Sequence, residues 1–299
     1  MKKELVDLIN DTIILKYELP NSSSGILKTV YSTHNDRCYS AEDKEKIAEI
    51  IYNSIVYYSI NEFELDGKDL AAMHAGALKN KIKYNPEASD EAKIKYGFFG
   101  EVLLYSMLYV LYGAEPLIAR GYFYNPLENS ETKGYDSYQL VETDGKLELW
   151  FGEVKFHAGY QSGVDSVLSN IDKALSDAYL ERNLLELHNH KNNFNTQGTQ
   201  IEAVLKTWEA NPLINPAHEV LKYDMTLVYP ILILYQMDDS ATYDTNIQRI
   251  PDYIQKNYVP KPFTLSVDHK IFFMLLPIEK VKVIKETVIS WIESKKPLI

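Results

Sequence analysis

Cysteine is nearly missing: Cys38 is the only one in 299 residues, so no intramolecular disulfide and no cysteine-rich metal site is possible. Apolar runs of membrane-spanning length are missing as well, the longest candidates, 226–237 and 271–278, being strand-sized. The opening stretch MKKELVDLINDT sets acids among its apolar residues and lacks the apolar core of a signal peptide. These absences lead to the expectation of a reduced, soluble, cytoplasmic protein with no membrane partner. Positive charge is scarce: 42 Asp and Glu face 31 Lys and Arg, a net charge of −11. A free-standing DNA binder usually carries a basic face, because phosphate neutralisation supplies most of its affinity. A nucleic-acid role therefore needs either basic residues gathered at one groove or another molecule that delivers the strand.

What is present describes a globular chain. Hydrophobic residues make up 45% and charged residues 24%, enough at this length for a substantial core. Tyrosine dominates the aromatics, 23 against 10 Phe and 3 Trp, and its polar tip suits half-wet surfaces. No internal repeat is found. Residues 1–87 read as a mixed subdomain: a strand at 12–19 ending at Pro20, a helix opened by Ser40 and Asp43, and a second helical stretch near 67–82. Residues 88–299 read as one α/β unit. Its pattern predicts a long helix over 89–112, capped by Ser89 and stopped at Gly113, then a strand at 115–124. Two more strands, 134–142 and 146–157, flank Asp144-Gly145, a strong hairpin signal. A helix over about 164–187 with Ser162 and Asp165 as its cap, a two-faced apolar strand at 226–237, another apolar run at 271–276 and a final helix at 279–294 complete the order. Pro230 predicts a bulge or late start in the strand at 226–237.

The chemistry concentrates in KLELWFGEVKFH, residues 146–157. Strand side chains alternate faces, so Leu147, Leu149, Phe151, Glu153 and Lys155 share one face while Trp150, Gly152, Val154 and Phe156 share the other. Two charges at the end of a core strand are costly unless they are paired or bind a metal. A hairpin folding at Asp144-Gly145 sets Asp136 opposite Glu153. Two adjacent carboxylates repel unless a cation lies between them, and hard oxygen ligands suit Mg²⁺ or Mn²⁺. Lys155 stands one pleat further along, where an ammonium can stabilise charge on an attacked phosphate.

Asp136, a hairpin, then Glu153-x-Lys155 resembles the signature of the PD-(D/E)xK nucleases, and helix–three strands–helix–strand resembles their restriction-endonuclease-like core. The resemblance implies metal-dependent hydrolysis of DNA phosphodiester bonds. It implies a further acid from the first helix, a role that falls on Glu101 in YGFFGEVLLYS, and the backbone carbonyl of Val154 as a third ligand. Tyr135 stands where the family loosely keeps proline, and no Gln-x-x-x-Tyr follows Lys155, which speaks against the exonuclease branch. Over most of its length, most clearly in GFFGEVLLYSMLY, KGYDSYQLVE and LWFGEVKFH, the chain resembles the nuclease subunit of Hachiman anti-phage defence systems. That implies a helicase subunit as partner, which would deliver the DNA that so acidic a chain holds poorly.

The competing readings are blander. Asp136, Glu153 and Lys155 could be a structural salt bridge, and Glu101 a helix acid paired with a nearby lysine. The fold could belong to a catalytically silent subunit that regulates a helicase, or to a stand-alone restriction-type enzyme. His188-Asn189-His190 reads as a solvated helix end, His157 as a cap of the strand end with substrate contact as the alternative, and His34 and Asp268-His269 receive no role. The polar segment 191–200, with Lys191, reads as a loop able to touch a DNA backbone.

Overall fold

Residues 1–41, 43–125, 130–131, 134–190, 202, 204, 206–207 and 216–299 are described in this computed structural model. The chain begins with α1 (Lys3–Thr12), β1 (Ile14–Leu19), β2 (Asp36–Ser40), α2 (Lys44–Ser59), α3 (Glu62–Leu65) and α4 (Leu70–Ala77). There follow α5 (Asp90–Ile94), α6 (Phe98–Tyr112), β3 (Glu115–Pro116), β4 (Tyr124–Asn125), β5 (Ser130–Glu131), β6 (Ser137–Thr143) and β7 (Lys146–His157). The rest comprises α7 (Tyr160–Leu168), α8 (Ile171–Ala174), α9 (Asp177–Asn189), α10 (Pro216–Lys222), β8 (Thr226–Gln236), α11 (Tyr243–Asn257), β9 (His269–Ile278) and α12 (Val281–Ser294).

The architecture is mixed α/β: a seven-stranded sheet in the order β1-β2-β9-β8-β7-β6-β3, with β4 and β5 as a separate pair. Strands β2, β9, β8 and β7 run parallel, while β1, β6 and β3 join antiparallel. Helices cover both faces, as a parallel sheet requires. Leu147, Leu149 and Phe151 pack into one core with α7, α9 and α11, and Trp150, Val154 and Phe156 pack into the other with α2, α6 and α12. The alternation read in 146–157 is thus the real division of the sheet. From residues 1–87, β1 and β2 extend the same sheet and α2 packs against α6 and α12.

The hairpin is the element closest to its sequence reading. Asp144 and Gly145 both have positive φ, 51° and 77°, the backbone of a two-residue turn whose twist matches its strands. Pairing runs in constant register from Thr143 opposite Lys146 to Ser137 opposite Gly152.

Other elements differ. The helix expected over 89–112 breaks at Lys95–Gly97 into α5 and α6, although Ser89 does cap α5 through the Ala92 N–H and Gly113 ends α6 at φ 62°. The strand expected at 115–124 shrinks to β3, because Arg120–Phe123 turns into a 3-10 helix. The helix expected over 164–187 is three pieces. Gly159 precedes the first of them, and the Asp165 carboxylate instead accepts hydrogen bonds from Tyr253 and Tyr258. Asp43 alone caps α2, since Ser40 belongs to β2. Pro230 makes no bulge: β8 keeps one register against β7 on either side of it, and its ring lies over Gly152, where an added Cβ would come within 3.3 Å of Pro230 Cγ. Elements α1, β2 and α11 have no counterpart in the sequence reading. Asp90–Tyr112 does pass a length-and-composition test for a membrane span, at mean hydropathy 1.3, contrary to the expectation of no such stretch. Phe99, Val102, Leu103 and Leu104 are fully buried there against the sheet and α2, so it is a core segment. The segment 191–200 lies outside the described residues.

Helix α6 approaches β7 most closely at Gly100, where a Cβ would stand 3.1 Å from Val154 Cγ2 and 3.3 Å from Phe156 Cβ. Alanine there gains up to about 1 kcal/mol of helix propensity, which offsets mild crowding. Valine adds overpacking of about 1–3 kcal/mol. The expected outcome is a melting temperature little changed in Gly100→Ala and lowered by roughly 4–8 °C in Gly100→Val, read by differential scanning calorimetry.

Candidate active site

The site arises where the hairpin splits. Strand β6 stops pairing at Ser137 opposite Gly152, while β7 runs on to His157 with β8 on its other side. Residues 153–157 therefore carry an edge that no described strand covers. Asp136 stands at the fork. Its N–H donates to the Gly152 carbonyl at 2.9 Å, and its Oδ2 accepts the Val154 N–H at 2.8 Å. A side-chain oxygen thereby replaces the missing strand. In a strand the N–H and C=O of one residue point to the same side, so the Val154 carbonyl faces this edge too.

Tyr135 anchors the fork from behind. It is buried, its hydroxyl donates to the Ala174 carbonyl at 2.7 Å, and its ring packs on Phe151 and Tyr229.

Glu153 and Lys155 follow on the same face, and the Lys155 ammonium bonds the Glu153 carboxylate. The electrostatics are strained. Burial pushes the Asp136 carboxyl above its ordinary range, against the opposing pull of Lys155, the Val154 N–H and Arg120. Burial and then the Asp136 charge push Glu153 up to about 7, with Lys155 and Arg120 holding it down. Burial alone would lower the Lys155 pKa, but the charges of Glu153 and Asp136 outweigh it and raise the value. Two acids that repel each other in a part-buried place are thus held together by one shared lysine.

Lys155, Asp136, Val154 and Glu101 all line one cleft of about 570 Å³ between the edge of β7, the start of α6 and the start of α12. Glu153 is not part of that lining and is reached through Lys155. Glu101 comes to the cleft because α6 begins at Phe98 after the break, and its carboxylate accepts the Tyr58 hydroxyl. Among the described residues no group of three His, Cys, Asp or Glu side chains gathers closely enough to hold a metal. The available donors are thus Asp136, Glu153 and the Val154 carbonyl, with Glu101 on the opposite wall.

Four cations here escaped the sequence reading. Arg120, buried in the 3-10 turn, lies over the Phe123 and Tyr138 rings at 5.1 and 5.8 Å and draws down both acids. Lys285 from α12 is buried and donates to the Phe156 carbonyl at 3.0 Å, and burial lowers its pKa to about 8. Lys95 and Lys282 complete a rim that, with Lys155 and Lys285, sets four lysines against Glu101 and Asp136. So the acidic chain does gather basic residues at one groove. His157 also lines the cleft, its pKa lowered by burial and by Lys285 and Lys155. The other histidines stay outside: His190 sits 3.4 Å from Glu186 in the last turn of α9, His269 Nδ1 meets the Val267 carbonyl, and His34 meets Thr33.

The raised carboxyl values carry a sign. With Glu153 near 7 when folded and an ordinary value of 4.5, its contribution to stability is complete below about 4.5 and is lost as pH rises through about 7. Glu153→Gln removes that loss. The melting temperature of metal-free Glu153→Gln, compared with that of the unmodified chain, should rise by a few degrees between pH 5 and pH 8. A difference that stays flat across that range contradicts the assigned repulsion.

No curated protein matches the chain. A family model described as HamA matches residues 7–292, nearly the whole sequence, spanning both the amino-terminal strands and the fork at Asp136. The chain therefore belongs to the HamA family and is an A subunit of a Hachiman anti-phage defence system.

Proposed function

We propose that this HamA chain is a metal-dependent deoxyribonuclease with a PD-(D/E)xK-type centre, acting on DNA delivered by a helicase subunit of the defence complex. The observation that carries the reading is the meeting of Asp136, Glu153 and Lys155 at an open strand edge, in a cleft rimmed by lysines. Mg²⁺ or Mn²⁺ fits the donors better than a cation that needs a full protein cage. Mg²⁺ keeps several waters and is commonly held by one or two carboxylates, and two carboxylates with one backbone carbonyl are what the fork offers. A divalent cation bound there supplies Lewis-acid activation of water and neutralises phosphate charge.

The chain's own groups have separable tasks. Asp136 keeps one oxygen on the Val154 N–H, which fixes the other toward the edge. Glu153, bonded here by the Lys155 ammonium, would hold a cation together with Asp136, and a positive charge there would relieve their repulsion. Lys155 would stabilise the charge that develops on an attacked phosphate. Lys95 and Lys282 would hold the flanking DNA backbone, and His157 lies within the same cleft. The lysines act over only one groove of a chain at −11, so the helicase supplies high effective concentration rather than new chemistry.

Glu153→Ala and Lys155→Ala should each lower plasmid degradation by the assembled complex at least about 100-fold, with partner binding retained. Activity in the unmodified complex should require Mg²⁺ or Mn²⁺ and stop with a chelator. Full activity in either variant overturns the assignment.

A further inference from the structure

A second cavity, of about 860 Å³ and so larger than the candidate cleft, opens between α4, the segment 78–86 and the end of α12. Its floor is apolar and aromatic, made by Tyr52, His74, Leu78, Ile292 and Leu298. Lys79, Lys83, Lys295 and Lys296 line it as well, Lys296 being held 3.7 Å from the Glu49 carboxylate and 3.4 Å over the Trp291 ring. Volume and lining match what small-molecule sites use: a mainly apolar cavity with a few polar groups at defined places. In a chain with eleven excess negative charges, three further lysines around one apolar cavity favour an anion. The one acid in the lining, Glu293, is already bonded by Lys93 at 2.6 Å and Tyr84 at 2.7 Å.

The backbone supplies an independent observation. Lys83 ends a π-helical turn, Leu78–Ile82, and Lys295 ends α12, both in the left-handed region at φ 56° and 53°. Glycine is the usual residue at such helix ends, because other side chains strain there. Isolated π turns are rare and often mark functional places, and strained backbone of this kind concentrates at ligand clamps. Both lysines line the same cavity.

We propose that this cavity binds an amphipathic anion, with an apolar or aromatic body of nucleotide or acyl-chain size on the Tyr52–Leu298 floor and a phosphate or carboxylate at the lysines. The site is one aromatic layer from the candidate cleft. Tyr84 and Asn85 line the cavity while Tyr96 lines the cleft. The Tyr84 and Tyr96 rings are 6.0 Å apart, and the Asn85 N–H donates to the Tyr96 hydroxyl at 3.2 Å.

The test is a fluorescence titration of the full chain with anilinonaphthalene sulfonate, an aromatic anion, followed by displacement with ATP or with decanoate. Saturable binding at one site is expected. Displacement by ATP identifies the nucleotide source and displacement by decanoate the acyl source. The double variant Lys83→Gly, Lys295→Gly should bind the probe at least tenfold more weakly while its melting temperature holds or rises, since glycine relaxes both helix ends. Ala75→Trp, which fills the cavity from α4, should abolish binding with the fold kept. No saturable binding by the unmodified chain, undiminished binding by either variant, or displacement only by an acidic peptide and by neither small anion would overturn the proposal. None of these readouts depends on DNA cleavage.

Discussion

The arrangement depends on one hydrogen bond, that from the Val154 N–H to the Asp136 carboxylate. Beyond Ser137 and Gly152 the hairpin no longer closes its own ladder, and a buried strand edge without partners costs about 1–3 kcal/mol for each orphaned group. Asp136 meets that demand with a side chain, and so a carboxylate is drawn into a place where it would otherwise not remain. Once there, it raises the cost of ionising Glu153, and the shared Lys155, with Arg120 behind it, balances the pair. Structural need and chemical poise at the fork are the same interaction.

The surroundings keep that poise from collapsing into an ordinary ion pair. Tyr135, Tyr138, Tyr179 and Tyr229 sit behind the acids, and burial first, then the acids' charges, raises the pKa of several of these phenols in turn. Their rings exclude water from one side while the cleft admits it from the other. Arg120 contributes charge from a distance without occupying the donor positions. The abundance of tyrosine, uninformative by composition, has a place here: rings thick enough to bury a fork, with hydroxyls able to bond carbonyls.

Where the governing physics is local, the chain states its own structure. Period-two alternation in 146–157 gave both sheet faces, and Asp144-Gly145 gave the register that brings Asp136 beside Glu153. What stayed hidden depends on contacts distant in sequence. The parallel pairing of β2 with β9 joins residues more than 230 apart, and nothing in DRCYS announces it. Lys285 reaches the Phe156 carbonyl across 129 residues, and Tyr58 reaches Glu101 across 43. The break at Lys95–Gly97 was masked by an apolar pattern that continues on either side, yet it lets Glu101 open a helix at the cleft. Arg120 was obscured because its segment reads as strand by composition and turns into a 3-10 helix instead.

The central claim is that Asp136 and Glu153 are poised for a divalent cation rather than for each other's lysine. Calorimetric titration of the isolated chain with Mn²⁺, set beside Asp136→Asn, tests it without recourse to DNA or a partner. The account predicts one saturable site in the unmodified chain, with affinity rising from pH 6 to pH 8 as the pair gives up its protons, and at least tenfold weaker binding in the variant. Equal affinity in the two proteins, or no saturable binding in either, would contradict it and leave the fork a structural ion pair.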